Sequence, residues 1–394
     1  MRNSIYESRS IYKCLREIKL CEKLSHIAIK HIMTILITMY SVGYRGKTVD
    51  FSRNSPHHRT TIAHFLNQGK WDDKAVEKIL KQAVIERIYE EAERTGQPIL
   101  CIVDDTIASK TKPSSQALHP IQDAGFHYSH LKKKQDYGHQ AVSLLLSCNG
   151  IVLQYAVVLY DKETASKIQI VCELAAELPI VPVISYFLCD SWYTCKEVMN
   201  AFLAKGFYTT AALKTNRIIF PFGIRQQIGE FAKYLRKSDK NVRLVTVGSR
   251  QFYVYRYEGP LNGVDSAVVL LCFPKDSFLK AGTLRAFLST DCSLSTQQLL
   301  DLYACRWQIE VFFRRCKSQL AFDQYQIRSA QGIRRFWLLT SLAYFLCCSV
   351  PAEAPSFLVG LTFFRNQISR ERISFFYFAG LHHADLDDLL TLAA

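Results

Sequence analysis

Two short apolar runs that lead into carboxylates constrain the fold of this chain more than any other feature. Residues 99–103 are apolar and precede Asp104-Asp105, and residues 184–188 are mostly apolar and precede Cys189-Asp190. Runs of this length, bounded by polar residues, are typical of buried strands. We therefore expect two buried strands, each of which delivers carboxylates at its end.

Strand and helix patterns alternate between residues 97 and 213. After the first strand, residues 141–146 and 151–160 predict a hairpin, since Cys148-Asn149-Gly150 is a turn signal. A helix is expected over 164–178, then the second buried strand, a helix that stops at Gly206, and a strand over 207–213. Alternation alone indicates an α/β fold. A strand, a hairpin, then helix, strand, helix and strand is the order of an RNase H-like domain.

The flanking regions have other patterns. Residues 1–96 are helical in period, and residues 52–66 combine a turn with a basic, polar helix start, which fits either a helix-turn-helix recognition element or an ordinary helix pair. Residues 214–288 predict antiparallel strands at 243–247, 251–257 and 267–273. The expected layout is a helical DNA-binding domain over 1–96, an RNase H-like catalytic domain over 97–213 and 289–350, a β-rich insertion over 214–288, and a C-terminal helical segment over 351–394.

The charge of the chain favours an acidic partner. Lys and Arg number 49 against 35 Asp and Glu, a net charge of +14. Nucleic acid is the first candidate, and a basic surface kept only for solubility is the alternative. Within 214–256 ten Lys and Arg face two Asp and Glu, so the insertion is either a DNA-contacting surface or a solvated sheet face.

The cysteines, the N-terminus and the apolar runs indicate the cellular compartment in which we expect the chain. Thirteen cysteines without CxxC spacing indicate a reducing cytoplasm and neither disulfides nor a zinc module. The first residues carry mixed charges, unlike a signal peptide. The longest uncharged apolar run, 336–350, is too short to cross a bilayer, so no membrane association is expected.

Histidines recur in small groups that suggest metal sites at first sight. The groups are His57-His58, His382-His383, and the trio His127, His130 and His139. His127 and His130 fall in a polar loop with no partner cysteines, so phosphate contact or solvent exposure is the better interpretation.

The sharpest motif lies on a helix that begins at a capping box, Ser295-Thr296-Gln297-Gln298, and is expected to run to about residue 320. Tyr303, Arg306, Glu310 and Lys317 are spaced by 3, 4 and 7, so they share one face, which also carries Arg314. Such a stripe suits a phosphodiester held beside a metal-binding carboxylate. An exposed face with Arg306 and Glu310 paired explains the spacing equally well.

The stripe Tyr303-x2-Arg306-x3-Glu310-x6-Lys317 resembles the signature of one branch of the DDE transposases of bacterial insertion sequences, which carry a β-strand insertion before the last acid. Residues 289–291 (Ser-Thr-Asp) and 326–329 (Gln-Ile-Arg-Ser) also resemble that family. The resemblance implies Asp105, Asp190 and Glu310 as catalytic residues that bind two Mg²⁺ ions, with Mn²⁺ as a substitute. It implies that Tyr303, Arg306 and Lys317 bind the phosphates near the cleaved end. Arg314, on the same helix face, is a fourth candidate for DNA binding.

The first acid is ambiguous from the residues alone. Asp104 and Asp105 point to opposite faces of the strand, and both faces are apolar upstream, so periodicity does not decide. The resemblance favours the acid immediately before Thr106, which is Asp105. Asp190 also has an alternative interpretation, as the N-cap of a following helix.

By this resemblance we expect a transposase that cuts and rejoins DNA by two-metal phosphodiester hydrolysis and strand transfer. Its partners would be double-stranded DNA, as terminal inverted repeats and target, and a second copy in a paired-end complex. It would act in the cytoplasm, associated with the nucleoid. The alternatives are an inactive, transposase-derived DNA-binding protein and an RNase H-like nuclease without strand transfer.

Overall fold

The computed structural model describes residues 5–118, 120–129, 132–261, 263–350 and 356–393. The N-terminal region is helical, as expected. Its helices are α1 Arg9–Glu17, α2 His26–Tyr40, α3 Thr48–Ser52, α4 Arg59–Asn67 and α5 Asp73–Thr95. Most of α2 is buried, and α5 ends at Gly96 in the left-handed conformation that helix ends favour.

The catalytic region predicted from the sequence is a mixed α/β structure. Its elements are β1 Leu100–Ser109, β2 Gly125–Ser129, β3 Lys134–Cys148, β4 Ile151–Tyr160, α6 Lys167–Glu177, β5 Ser185–Cys189, α7 Lys196–Leu203 and β6 Phe207–Leu213. β1 pairs antiparallel with β3 and parallel with β5, and β5 is parallel to β6. Asn149 and Gly150 both have positive φ, as a two-residue hairpin requires. The order expected of an RNase H-like domain is present.

The first buried strand is longer than predicted. β1 does not end before Asp104 but continues to Ser109, because residues 104–109 stay paired with β3. Only the parallel pairing with β5 stops early, at Ile102 opposite Leu188. The polar segment around His127 is also not the loop expected from the sequence. It contains β2 and the start of β3, which pair with each other.

The insertion is β-rich and extends the same sheet. Its elements are β7 Ile218–Ile219, β8 Gln226–Gln227, α8 Ile228–Phe231, β9 Val242–Val247, β10 Arg250–Leu261, β11 Val264–Pro274 and β12 Arg285–Ser289. β12 pairs antiparallel with β6, so the strand order in the described residues is β2-β3-β1-β5-β6-β12-β11-β10-β7-β8. A second apolar core, which includes Ile219, Leu271 and Leu288, lies beneath the insertion.

Five more helices complete the described chain: α9 Thr296–Ala304, α10 Trp307–Leu320, α11 Ala330–Ser349, α12 Phe357–Leu381 and α13 Leu386–Ala393. The capping box is confirmed, since Ser295 and Gln298 exchange side-chain hydrogen bonds with each other's backbone N–H. The expected single helix to Leu320 is wrong, however. The N–H groups of Cys305 and Arg306 donate to carbonyls three residues back, and this tighter turn divides the helix into α9 and α10.

A buried arginine joins the N-terminal helices to the catalytic region. Arg335 of α11 is 3% exposed and donates hydrogen bonds to carbonyl oxygens in the turn between α4 and α5, including that of Gly69 at 2.9 Å. It also forms an ion pair with Asp73 at 3.2 Å and lies 4.7 Å from the ring centroid of Trp71. The two regions are therefore expected to unfold together.

A helix that crosses a bilayer needs about 20 consecutive, mostly apolar residues. Within residues 5–118, 120–129, 132–261, 263–350 and 356–393, no helix combines the length and the apolar character that a membrane span needs.

Candidate active site

Three carboxylates lie near the point where the parallel part of the sheet ends. Asp104 lies two residues beyond Ile102, the last residue of β1 that pairs with β5, and Asp190 directly follows β5. Ile102 lies opposite Leu188, so two further residues along each strand bring Asp104 level with Asp190. Glu310 approaches from α10. The ends of parallel strands are a usual location for sites in α/β sheets.

Arg306 connects two of these acids. Its Nη1 donates to Oδ2 of Asp104 at 2.8 Å, and its Nη2 lies 3.4 Å from Oε1 of Glu310. Arg306 stands at the break between α9 and α10, as the residue that precedes the first turn of α10. The turn thus aims a guanidinium at β1 and keeps Glu310 beside it.

Burial shapes the electrostatics of Asp104. Burial, opposed by the charge of Arg306 and supported by the charge of Asp190, raises the pKa of Asp104 to about 7. Asp190 is more open, and its Oδ1 accepts the backbone N–H of Trp192 at 2.8 Å. Asp104 and Asp190 therefore repel each other, as two carboxylates of a cation site do before the cation arrives.

Asp105 faces the opposite side of β1 and is already occupied. Its Oδ1 accepts from Gln140 at 2.5 Å, and its Oδ2 accepts from Lys167 at 2.9 Å and from Tyr193 at 2.8 Å. Its side chain is 20% exposed. Burial raises the pKa of the Tyr193 hydroxyl well above its usual value, so Tyr193 remains a donor to the carboxylate. Asp105 is the centre of a satisfied polar network.

The other members of the predicted stripe diverge. Tyr303 packs on Phe287 of β12 with ring centroids 4.6 Å apart, and burial raises its pKa to about 12. Lys317 donates to the carbonyl of Ile107 on β1 at 3.1 Å, and burial lowers its pKa. Arg314 is exposed on α10. Arg306 and Lys317 therefore contact β1, and Arg314 points to solvent.

The histidines occupy other places. His139 is buried between the carbonyl of Gln122 and the hydroxyl of Tyr325, at 2.9 and 2.8 Å. His127 is half-buried, and burial lowers its pKa. His130 lies outside the described residues. In the part of the chain that the structure describes, no three His, Cys, Asp or Glu side chains come together as ligands for a metal ion.

The family model for the transposase DDE domain matches residues 95–346, more than half of the chain. The chain belongs to the DDE transposase family. The match begins before β1 and ends within α11, so it includes all three acids, the insertion and Arg306.

Among solved structures, the chain is similar to a piggyBac transposase in a synaptic complex with hairpin DNA, seen by cryo-EM. The identity is 12%, the alignment covers 90% of this chain and 75% of that chain, and the TM-score is 0.43. A search of curated proteins finds no match.

DDE transposases generally use divalent metal ions, and the donor chemistry here suits them. Carboxylate oxygens are the ligands that Mg²⁺ and Mn²⁺ prefer. The mutual repulsion of Asp104 and Asp190 is relieved by a cation, and Arg306 supplies the positive charge in the present arrangement. In the arrangement described, Arg306 occupies Asp104 and Glu310, so these carboxylates do not form a ligand set for a metal ion.

Several site residues were missed from the sequence. The resemblance favoured Asp105 over Asp104, whereas the contacts of Arg306 lie with Asp104. Lys167 and Tyr193 belong to no motif, and only the fold brings them to Asp105. Trp192 gave a signal, because a tryptophan two residues after a strand-end aspartate is out of place in a core.

Proposed function

We propose that this DDE transposase cuts an insertion sequence from DNA and joins the freed 3′ ends to a target. The observation that carries the proposal is the bridge from Arg306 to both Asp104 and Glu310, with Asp190 close enough to raise the pKa of Asp104. Two acids bridged by one guanidinium, with Asp190 beside Asp104, in a chain with a net charge of +14, suit a phosphodiester site.

We assign the first acid to Asp104 and not to Asp105, which the resemblance had favoured. Asp104 forms an ion pair with Arg306, and the register of β1 and β5 brings it level with Asp190. Both relationships support a role for Asp104 at the reacting phosphate. Asp105 accepts three side-chain donors, whereas Asp104 accepts one side-chain donor, from Arg306, and the backbone N–H of Asp105. Asp105 then acts as a positioning residue that fixes this part of β1 through Lys167 and Tyr193.

Asp104, Asp190 and Glu310 would hold the metal ions, Mg²⁺ or Mn²⁺. When bound, a pair of such ions activates the attacking water or 3′-hydroxyl and stabilises the leaving oxygen of an in-line displacement. The chain itself positions the DNA. Arg306 can exchange its two carboxylate partners for a phosphate, because its planar fork binds either oxyanion.

The other residues of the stripe, Lys317, Tyr303 and Arg314, have different roles in this proposal. Lys317 reaches the same strand as Asp104 and keeps a positive charge beside the site. Tyr303 is held by Phe287 with its hydroxyl near Arg306, where it can donate to a phosphate oxygen. Arg314 is exposed and contributes to longer-range attraction of the DNA backbone.

The wider assignment follows from the same proposal. The DNA partners are the terminal inverted repeats and the target duplex, and two copies act in a paired-end complex in the cytoplasm, associated with the nucleoid. The helices of residues 1–96 and the basic insertion of 214–288 recognise the ends. The catalytic domain spans 97–213 and 289–350, and residues 351–394 form a helical segment.

The test is cleavage of a labelled duplex that carries the end of the mobile element encoding the chain, with Mg²⁺. Cutting should disappear in Asp190→Asn and Glu310→Gln while DNA binding persists, and Asp276→Asn, an exposed acid of the insertion, should cut normally. Binding without cutting by the wild type would indicate an inactive DNA-binding protein. Cutting without strand transfer of pre-cut ends would indicate a nuclease.

A further inference from the structure

A two-stranded ribbon extends past the end of the central strand. β1 ends at Ser109, opposite Gly138, so residues 134–137 of β3 pair only with β2 among the described strands. β2 is itself the last strand at its side of the described sheet. Residues 125–129 and 134–138 therefore form a narrow ribbon that is covered by no further strand of the described chain.

The end of this ribbon carries three consecutive lysines. Lys132 is held against the protein, because its Nζ forms an ion pair with Asp136 at 2.7 Å. Lys133 and Lys134 are exposed. Between residues 110 and 137 the chain has five lysines against two aspartates. The end of the ribbon is therefore a positively charged surface.

Aromatic side chains lie on the same ribbon. Phe126 is 58% exposed and Tyr128 is 53% exposed, and both face one side of β2, because alternate residues of a strand share a side. Nζ of Lys112 lies 5.3 Å from the ring centroid of Phe126. Exposed apolar side chains that are surrounded by charged ones are typical of contact surfaces. The ribbon thus has the composition of a contact surface and not only that of a solvated run of charge.

The chemistry of this surface favours the backbone of duplex DNA as its partner. A two-stranded ribbon is narrow enough for the major groove, and lysines neutralise the phosphates on either side of it. A partner protein could instead add a strand to the open edge of β2. Lysines on an edge strand oppose such pairing, so DNA fits this surface better.

The place of the ribbon in the sheet indicates which part of the DNA it meets. In the described strand order β2 lies on one side of β1 and β5, and the strands of the insertion lie on the other side. Asp104 on β1 pairs with Ser143 on β3, and nine residues separate Ser143 from Lys134. That separation is at most roughly 30 Å, at about 3.4 Å per residue. It equals the length of about nine base pairs of duplex.

We propose that the ribbon binds the backbone of the duplex that flanks the mobile element, through Lys133 and Lys134, within about nine base pairs of the cleaved phosphodiester. The inference rests on the proposed function, in which the insertion contacts the element's own end on the other side of the acids. The flank has a different sequence at every insertion site. Lysines suit it, because contacts to phosphates carry no sequence information.

The test measures binding without metal, so that no catalysis is needed. Labelled duplexes carry the element's own end and a flank of either about two or about fifteen base pairs. The double variant Lys133→Gln, Lys134→Gln should weaken binding of the long-flank duplex by roughly 30-fold at about 0.15 M salt, since each lost phosphate contact costs about fivefold there. The slope of log affinity against log salt should become shallower by about two.

The control removes a lysine at the other end of the parallel strands. Lys205 lies just before β6, whereas the acids lie beyond the ends of β1 and β5 that face away from it. Lys205→Gln should bind both duplexes as the wild type does. Thermal unfolding of the double variant should match that of the wild type, because Lys133 and Lys134 are exposed.

The two flank lengths decide the outcome. On the short-flank duplex the double variant should bind as tightly as the wild type. Equal weakening on both duplexes would mean that the lysines contact the element's own end, and no weakening on either would mean that they only protect an edge strand. Both results would overturn the inference. A wild type whose binding depends on the flank, but which never cuts, would instead contradict the proposed function alone.

Discussion

The guanidinium of Arg306 lies 2.8 Å from Oδ2 of Asp104, although 202 positions separate the two residues in the chain. The contact joins the central strand β1 to the helix that carries Glu310. It depends on the tight turn at Cys305 and Arg306, which divides α9 from α10. Arg306 is thus held against Asp104 and Glu310, and in the proposed function it exchanges these carboxylates for a phosphate.

Replacement of Arg306 by lysine should slow cutting without unfolding the protein. A lysine carries the charge but cannot contact Asp104 and Glu310 through a planar fork. We expect single-turnover cleavage to fall by roughly 100-fold, the usual cost of losing one preorganised donor to a developing oxyanion. Arg314→Lys, on the exposed side of the same helix, should cut at nearly the wild-type rate. If the two substitutions slow cleavage equally, Arg306 has no specific role in cleavage.

Asp104→Asn should stabilise the protein at alkaline pH. Burial raises the pKa of Asp104 from 3.8 in the unfolded chain to about 7, so the folded state binds the proton more tightly. The free energy of unfolding then falls as the pH rises between these values, and the full penalty applies above them. Asparagine does not ionise. We expect Asp104→Asn to be more stable than the wild type by roughly 3 kcal/mol at about pH 8 and by little at about pH 4.

The measurement for Asp104 is urea unfolding at both pH values, with Asp276→Asn as the control. A variant that is less stable than the wild type at about pH 8 but not at about pH 4 would show that the ion pair with Arg306 outweighs the burial of the carboxylate.

Tyr193→Phe should destabilise the fold by about 1–3 kcal/mol, because it removes a donor from the buried carboxylate of Asp105. The matched control is Tyr234→Phe, at an exposed ring, which should be neutral. Thermal unfolding of the two variants measures the difference. Cleavage by Tyr193→Phe should fall less than cleavage by Asp190→Asn, because Asp105 positions β1 and does not touch the phosphate. If Tyr193→Phe is as stable as the wild type, the hydrogen bond from Tyr193 to Asp105 does not stabilise the fold.

Arg335→Met should destabilise the protein by about 3–5 kcal/mol, since it leaves Asp73 and several carbonyls of the turn between α4 and α5 without their donor. The neighbouring Arg334 pairs with Asp123 at the surface, so Arg334→Met should cost at most about 1 kcal/mol. Differential scanning calorimetry compares the two. If Arg335→Met splits the single transition into two, the N-terminal helices fold independently of the rest.

Much of the fold could be predicted from local pattern. The hairpin signal at Asn149-Gly150 and the capping box at Ser295 each act within a few residues, and both are confirmed. The end of β1 could not be predicted in this way. Residues 104–109 stay extended because residues of β3 that lie 29 to 39 positions later in the chain pair with them.

The candidate site was only partly predictable. Spacing placed Arg306 and Glu310 on one face, and they are in contact. Spacing could not decide between Asp104 and Asp105. Alternation along a strand predicts which side of the sheet each residue faces, but it does not predict which residues lie on that side. The decision depends on the parallel register between β1 and β5 and on the reach of Arg306, and both are tertiary properties.

The most direct test of the account compares Asp104→Asn with Asp105→Asn in Mg²⁺-dependent cleavage of the element's own end. DNA binding and thermal unfolding are measured on the same samples. We predict that Asp104→Asn binds DNA and stays folded but does not cut the DNA. Asp105→Asn should cut slowly and lose thermal stability, because its network with Lys167 and Tyr193 is weakened. Normal cutting by Asp104→Asn, together with complete loss of cutting in a stable Asp105→Asn, would contradict the assignment of Asp104 to the site.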